Sequence, residues 1–209
     1  MVLVQLDADA AISDGIGGER RIFGFEADFA HDLRCIPMVV RLKLDRCGVK
    51  LSLRQWSKMG AVNRTSLLAM RCDTAAEIET YRIAVIHLAT AHCAEVIKRL
   101  PGDPEPAWAN PSRVPGDVIR QAADLRVEPP SPQSWSRLST LQRFALLKLA
   151  RSDHDNHNFI PAMREMRQML GVLTERSGDP GSTGVPGITD IDDLAGELQP
   201  FDGDAPVIR

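Results

Sequence analysis

The alternation of apolar and polar positions reads as a series of short helices. Val39, Val40, Leu42 and Leu44 follow Ile36-Pro37 and stop at Gly48. A helix is predicted to start at the proline, whose missing N–H needs no intrahelical partner there, and to end in a left-handed glycine cap. Ser52-Leu53-Arg54-Gln55 has the form of a capping box and opens a short helix through Trp56. Gly60 interrupts it, and Ala61 to Met70 forms the next helical stretch. A second capping box, Thr74-Ala75-Ala76-Glu77, opens the longest helix, in which Ile78, Tyr81, Val85, Ala89, Cys93 and Val96 recur on a helical period. Lys98 and Arg99 suit the negative end of its dipole, and Pro101-Gly102 is predicted to end it. Residues 101–113 read as an ordered linker packed by Trp108, followed by helices at 115–125, 132–138, 140–150 and 159–170, the last stopped by Gly171.

The two ends lack this periodicity. Residues 1–21 begin with a short apolar patch and turn Asp-, Gly- and Ala-rich, as a flexible arm does. Residues 172–209 are rich in Gly, Pro and Asp, with too few large apolar side chains to offset the entropy of ordering, and a disordered tail is expected there. The predicted fold class is therefore all-α: a compact helical domain over 22–171, with an acidic, disordered C-terminal tail.

Two stretches of that domain align at an offset of 78 to 79 residues, about 36–68 with 114–147. Ile36-Pro37 meets Val114-Pro115, Ser52 meets Ser131, Trp56 meets Trp135, Arg64 meets Arg143, and Leu67-Leu68 meet Leu146-Leu147. Each copy reads as a Pro-started helix, an extended link, a Ser-capped helix bearing Trp, and a helix bearing Arg and a Leu pair. An internal duplication of a Trp-centred unit is the expectation. Its tryptophans serve either as core anchors or, with Arg64 and Arg143, as a repeated surface that grips carboxylates or phosphates.

Composition narrows the function without naming it. Aromatics are 5% of 209 residues and the net charge is −3, so neither a base-stacking platform nor a global basic field is present. Nucleic acid and membrane are not expected partners, since no apolar run approaches the 18 residues of a membrane span. The charge is uneven: Glu175 to Arg209 carries eight acidic and two basic residues, net −6, leaving +3 on Met1 to Thr174. The four cysteines form no CxxC pair, which with the lack of a signal segment points to the cytoplasm.

Three clusters hold the candidate chemistry. His154 and His157, with Asp153 and Asp155, are spaced to share a helix face and hold a metal; the alternative is a cap for the last helix, with Asn156 or Asn158 as N-cap. Cys35, beside Arg34 and ahead of a helix start, is placed either for a lowered thiol pKa with His31 as base, or as a buried structural thiol. Glu26 and Asp28 read as an acid–base carboxylate pair or as a solvated face and local cap. His87 and His92 are taken as core or interface residues. No phosphate-cradling Gly loop or Gly-x-Ser-x-Gly elbow occurs. No catalytic residue, metal or cofactor is assigned.

Phe25-Glu26-Ala27-Asp28-Phe29, Leu33-Arg34-Cys35-Ile36-Pro37-Met38, Arg41-Leu42-Lys43-Leu44-Asp45 and Cys47-Gly48-Val49-Lys50-Leu51 resemble the nitrate reductase associated protein family. So do Leu141 to Leu149 and the group His154, Asn156, Asn158-Phe159 and Pro161-Ala162. The resemblance spans roughly residues 22–171. It implies a cytoplasmic accessory protein for maturation or activity of assimilatory, molybdenum-dependent nitrate reductase, binding the apo-enzyme or a molybdenum-cofactor assembly protein. An enzyme acting on the molybdopterin cofactor and a nitrogen-status regulatory module are the alternatives. The residues expected to face a partner are Glu26, Asp28, Arg34, Cys35, Arg41, Arg143, His154, Asn156 and Asn158.

Overall fold

The computed structural model describes residues 22–151 and 157–177, the last six as backbone. A 3-10 turn at Gly24–Glu26 runs into a single-turn helix α1 (Ala27–Ala30). Then come α2 (Met38–Cys47), strand β1 (Val49–Lys50), α3 (Leu53–Lys58), α4 (Ala61–Ala69) and α5 (Ala75–His92). Strand β2 (Lys98–Arg99) is followed by α6 (Gly116–Asp124), α7 (Pro132–Arg137), α8 (Thr140–Ala150) and α9 (Phe159–Ser177). The described residues are mostly helical, as expected, with one two-stranded antiparallel ribbon among them, pairing Val49 with Arg99 and Lys50 with Lys98. None of its described helices is long and apolar enough to cross a membrane.

Helix α2 is the core element, because its apolar residues run all the way round. Val39, Val40 and Leu42 are fully buried and Leu44 nearly so, and α5 and α8 pack against it. Lys43 lies in the same helix and is buried too. Its ammonium donates to the carbonyls of Leu68 (2.7 Å) and Met70 (2.6 Å), groups at the end of α4 that have no helical partner. It also sits 5.8 Å from the centre of the buried Tyr81 ring. Burial raises the Tyr81 hydroxyl's pKa well above its ordinary value.

Most helix starts follow the predicted caps. Ser52 and Gln55 bond reciprocally (3.1 and 2.9 Å), as do Thr74 and Glu77 (3.3 and 3.0 Å). Pro37 occupies the N-cap rather than the first helical position, in extended conformation. The long helix, by contrast, is shorter than its periodicity predicts. Tyr81, Val85 and Ala89 are buried, but the helix ends at His92 and Cys93 is extended. The following segment is drawn off by α3: Glu95 pairs with Arg54 (3.2 Å), accepts from Ser52 Oγ (3.2 Å), and gives its carbonyl to Gln55 (3.3 Å). Lys98 and Arg99 therefore enter the ribbon instead of closing a helix, and Val96 is 87% exposed rather than core. His87 and His92 are exposed, so neither is a core residue, the first of the two roles considered for them, and His92 bonds to Asn63 (3.0 Å). Nor does Gly171 stop the last helix, which runs through it to Ser177. The predicted arm, and the tail beyond Ser177, lie outside the described residues.

At the aligned positions of the two stretches the local geometry agrees. Trp56 and Trp135 are both fully buried, and each indole N–H donates to a backbone carbonyl ahead of the Pro-capped helix: Leu33 at 2.6 Å and Asn110 at 3.0 Å. Arg64 donates to Leu33 O (3.1 Å) and Arg143 to Trp108 O (2.9 Å). The surroundings differ, since only Val49 enters a ribbon. The likeness is local to caps and anchors, and the duplication is proposed from the sequence alignment.

One matched pair makes a prediction. Gly48 ends α2 at φ 66°, and its counterpart Arg126 ends α6 at φ 56°, within a Schellman closure of Arg126 N–H to Ala123 O (3.0 Å) and Val127 N–H to Ala122 O (2.9 Å). A β-carbon in that region strains the backbone by roughly 1–2 kcal/mol. Arg126 is exposed, so Arg126→Gly is expected to raise stability by about 0.5–1 kcal/mol, and Gly48→Ala to lower it by about 1 kcal/mol. Urea denaturation of the two variants checks both signs.

Candidate functional site

The segment from Phe23 to Met38 folds around one buried carboxylate. Glu26 is 2% exposed. Its Oε2 accepts the N–H of Phe23 (3.1 Å) and its Oε1 the N–H of Met38 (2.8 Å), the first residue of α2. Glu26 thus caps a helix twelve residues downstream, where Pro37 has no side-chain donor or acceptor to offer. Glu165 of α9 completes the hold: its carboxylate accepts from Gly24 N–H (3.0 Å) and Phe25 N–H (3.2 Å). A β-carbon on Gly24 would lie 3.2 Å from Glu165 Oε2, so the close approach favours glycine. Phe23 and Phe25 stack beside it with ring centres 4.9 Å apart.

Burial pushes the Glu26 carboxyl up to about 7, against the two backbone N–H bonds and the Arg41 guanidinium that favour its anion; the Glu165 charge adds to the rise. Arg41 donates Nε–H to Ile36 O (2.9 Å) and lies within electrostatic reach of Glu26, Cys35 and Asp45. Asp45, one turn further along α2, pairs with Lys148 of α8 at 3.1 Å. Arg41 is thus within electrostatic reach of both Glu26 and Cys35. Glu26 can exchange a proton near neutrality, and its state bears directly on the grip at both Phe23 and Met38. Cys35 is a half-buried free thiol. His31, its candidate base, is exposed and lies 3.7 Å from Asp32.

The other expected residues fall elsewhere. Asp28 and Arg34 meet at the surface, 3.1 Å apart, with Arg34 also near Asp32 (3.9 Å). Arg143 is 7% exposed and grips the carbonyls of Trp108 and Leu138, while Trp108 packs edge-on against Phe144 with ring centres 5.9 Å apart. Its fork is thus occupied inside the fold. Asn158 is exposed and directly precedes α9, its carbonyl accepting Ala162 N–H at 3.0 Å, the N-cap position considered for it. His154 and Asn156 lie outside the described residues. Among the described residues, no three His, Cys, Asp or Glu side chains gather as metal ligands.

Sequence reasoning missed Glu165 and Lys43. Glu165 sits among Arg and Met residues of α9 and carries no local sign of its distant partners. Lys43 does carry a sign, being flanked by residues that are all apolar from Met38 to Leu44 except Arg41.

Neither the curated proteins nor the solved structures include a match to the chain. A family profile does match, that of the conserved nitrate reductase-associated proteins, over residues 22–166. The matched stretch starts at the first described residue and ends one residue beyond Glu165, so it takes in both halves of the Gly24–Glu165 clasp. With well over half its length matched, the chain belongs to the conserved nitrate reductase-associated protein family.

Proposed function

We propose that this protein is a cytoplasmic accessory factor for assimilatory, molybdenum-dependent nitrate reductase. In this reading it promotes maturation or activity by binding the apo-enzyme or a protein that delivers the cofactor. The observation that supports it is the family match, whose description ties the chain to nitrate reductase. The physical character of the N-terminal segment fits a binding role. Its most perturbed acid, Glu26, holds backbone in place, while Asp28 and Arg34 stand at the surface with side chains 69% and 53% exposed. We assign Asp28, Arg34 and Asn158 to the partner-facing surface. Glu26 and Arg41 act beneath it as supports.

The test is affinity purification of the tagged full chain from nitrate-grown cells, with mass spectrometry of what accompanies it. The reductase polypeptide or a molybdenum-cofactor assembly protein is expected in the eluate, and its yield is expected to fall at least fivefold with Arg34→Glu. Recovery of neither protein overturns the proposal. An unchanged yield with Arg34→Glu removes the assigned surface and leaves the association standing.

A further inference from the structure

Away from the Glu26 cluster, the start of α6 and the end of α8 border a cleft of about 680 Å³. Small-molecule sites fall in this size range. Part of its lining is apolar and stiff, with Pro104, Pro106 and Pro115. The lining also carries three arginines, Arg113, Arg120 and Arg151. Asp117 stands between two arginines, accepting from Arg151 Nε at 2.7 Å on one oxygen and from Arg120 on the other. Those bonds hold the Asp117 carboxyl below its ordinary pKa, the Arg151 hydrogen bond foremost.

The same bonds fix the two guanidiniums in place. Each guanidinium has five N–H donors, and Asp117 takes one from each. Arg113, on the same cleft, is exposed and has no hydrogen-bond or ion-pair partner among the described residues. Of the acids lining the cleft, Asp117 is already doubly bound and Glu105 is exposed. Among the described residues, three cations thus border a space whose two carboxylates do not saturate them. A carboxylate's two oxygens are matched by a single Arg fork. A phosphate monoester carries three terminal oxygens and nearly two charges at neutral pH, which suits donors arriving from three separate side chains.

We propose that this cleft binds a small organic phosphate monoester, its phosphate held by Arg113, Arg120 and Arg151 and its apolar body laid against the prolines. The proposal stands independently of any association with nitrate reductase. Calorimetric titration of the full chain at fixed ionic strength tests it, with phenyl phosphate, inorganic phosphate, benzoate and a hexaglutamate peptide as probes.

Phenyl phosphate is expected to bind one saturable site, at least threefold tighter than inorganic phosphate and at least tenfold tighter than benzoate. Arg113→Gln removes an exposed side chain with no hydrogen-bond or ion-pair partner among the described residues, so the fold is expected to be preserved, and it is expected to weaken phenyl phosphate at least fivefold. Arg151→Gln is expected to weaken it at least tenfold, and Arg54→Gln, on the remote α3, to change nothing. No saturable phenyl phosphate binding overturns the proposal, as does an equal loss with Arg54→Gln, which would mark diffuse screening. Benzoate binding as tightly as phenyl phosphate overturns the choice of phosphate. Hexaglutamate binding in place of phenyl phosphate overturns it in favour of an acidic peptide.

Discussion

Replacing Trp56 with alanine is expected to cost about 3–5 kcal/mol of stability, the range found when a fully buried large aromatic is truncated. The ring is 0% exposed, and its N–H donates to Leu33 O at 2.6 Å. Two losses therefore add. A cavity opens beneath α3, and a buried carbonyl keeps only its 3.1 Å bond from Arg64. Leu33 stands at φ 52°, in the left-handed region, so the indole and the guanidinium together hold a loop that its own backbone disfavours. Trp56→Phe keeps most of the buried area and is expected to cost about 1–2 kcal/mol, chiefly through the lost donor. Trp135→Ala is expected to match Trp56→Ala, since that ring is equally buried and donates to Asn110 O. Urea unfolding of the three variants measures this. A Trp56→Ala cost below about 1 kcal/mol contradicts the anchoring role.

Stability is also expected to fall as pH rises from about 5 to 8, with Glu26 as the cause. The folded carboxyl keeps its proton up to about 7, while an unfolded glutamate releases it near 4.5. Between those values the folded chain holds one more proton than the unfolded chain, so raising the pH favours unfolding. Below about 4.5 both states are protonated and Glu26 contributes nothing; above about 7 the full penalty applies. The gap corresponds to on the order of 3 kcal/mol.

Asp32, Glu77 and Asp117 are shifted the other way, below their ordinary values. Their contribution is complete above the unfolded carboxylate range and is lost only in stronger acid, so it stays level across this window. Glu26→Gln removes the titration but presents an amide N–H₂ to one of two backbone donors. The variant is expected to lose stability at pH 5 and to show a much flatter profile to pH 8. Equal wild-type stability at pH 5 and pH 8 would refute the assignment.

What was legible in the sequence was mostly local. Capping boxes, proline starts and the Gly48 cap need only a few consecutive residues, and they mark most helix starts and the end of α2. Ser139-Thr140-Leu141-Gln142 obeyed the same rule unremarked, with Ser139 and Gln142 bonded reciprocally at 3.2 and 2.7 Å. Ends set by distant partners were illegible. The α5 periodicity continues to Val96, yet α3 and β1 compete for residues 95–99 and win. The candidate site divides along the same line. Asp28 and Arg34, six residues apart, are paired in the fold. Glu26 looked like half of an acid pair with Asp28, but its partners are Phe23, Met38 and Arg41. Arg143 resembled a surface fork because its charge was visible and the Trp108 and Leu138 carbonyls that claim it were not.

The clasp between Gly24 and Glu165 has a bearing on synthesis. Those residues lie 141 positions apart, so the first turn of the domain emerges from the ribosome long before the carboxylate that holds it. Closing so wide a loop is slow and comes late. Until α9 emerges, the backbone N–H groups of Gly24 and Phe25 lack the acceptor that holds them in the finished fold. A nascent chain cannot close that clasp early. The clasp closes only once α9 has left the ribosome, and under the proposed function the partner-facing turn is complete only then.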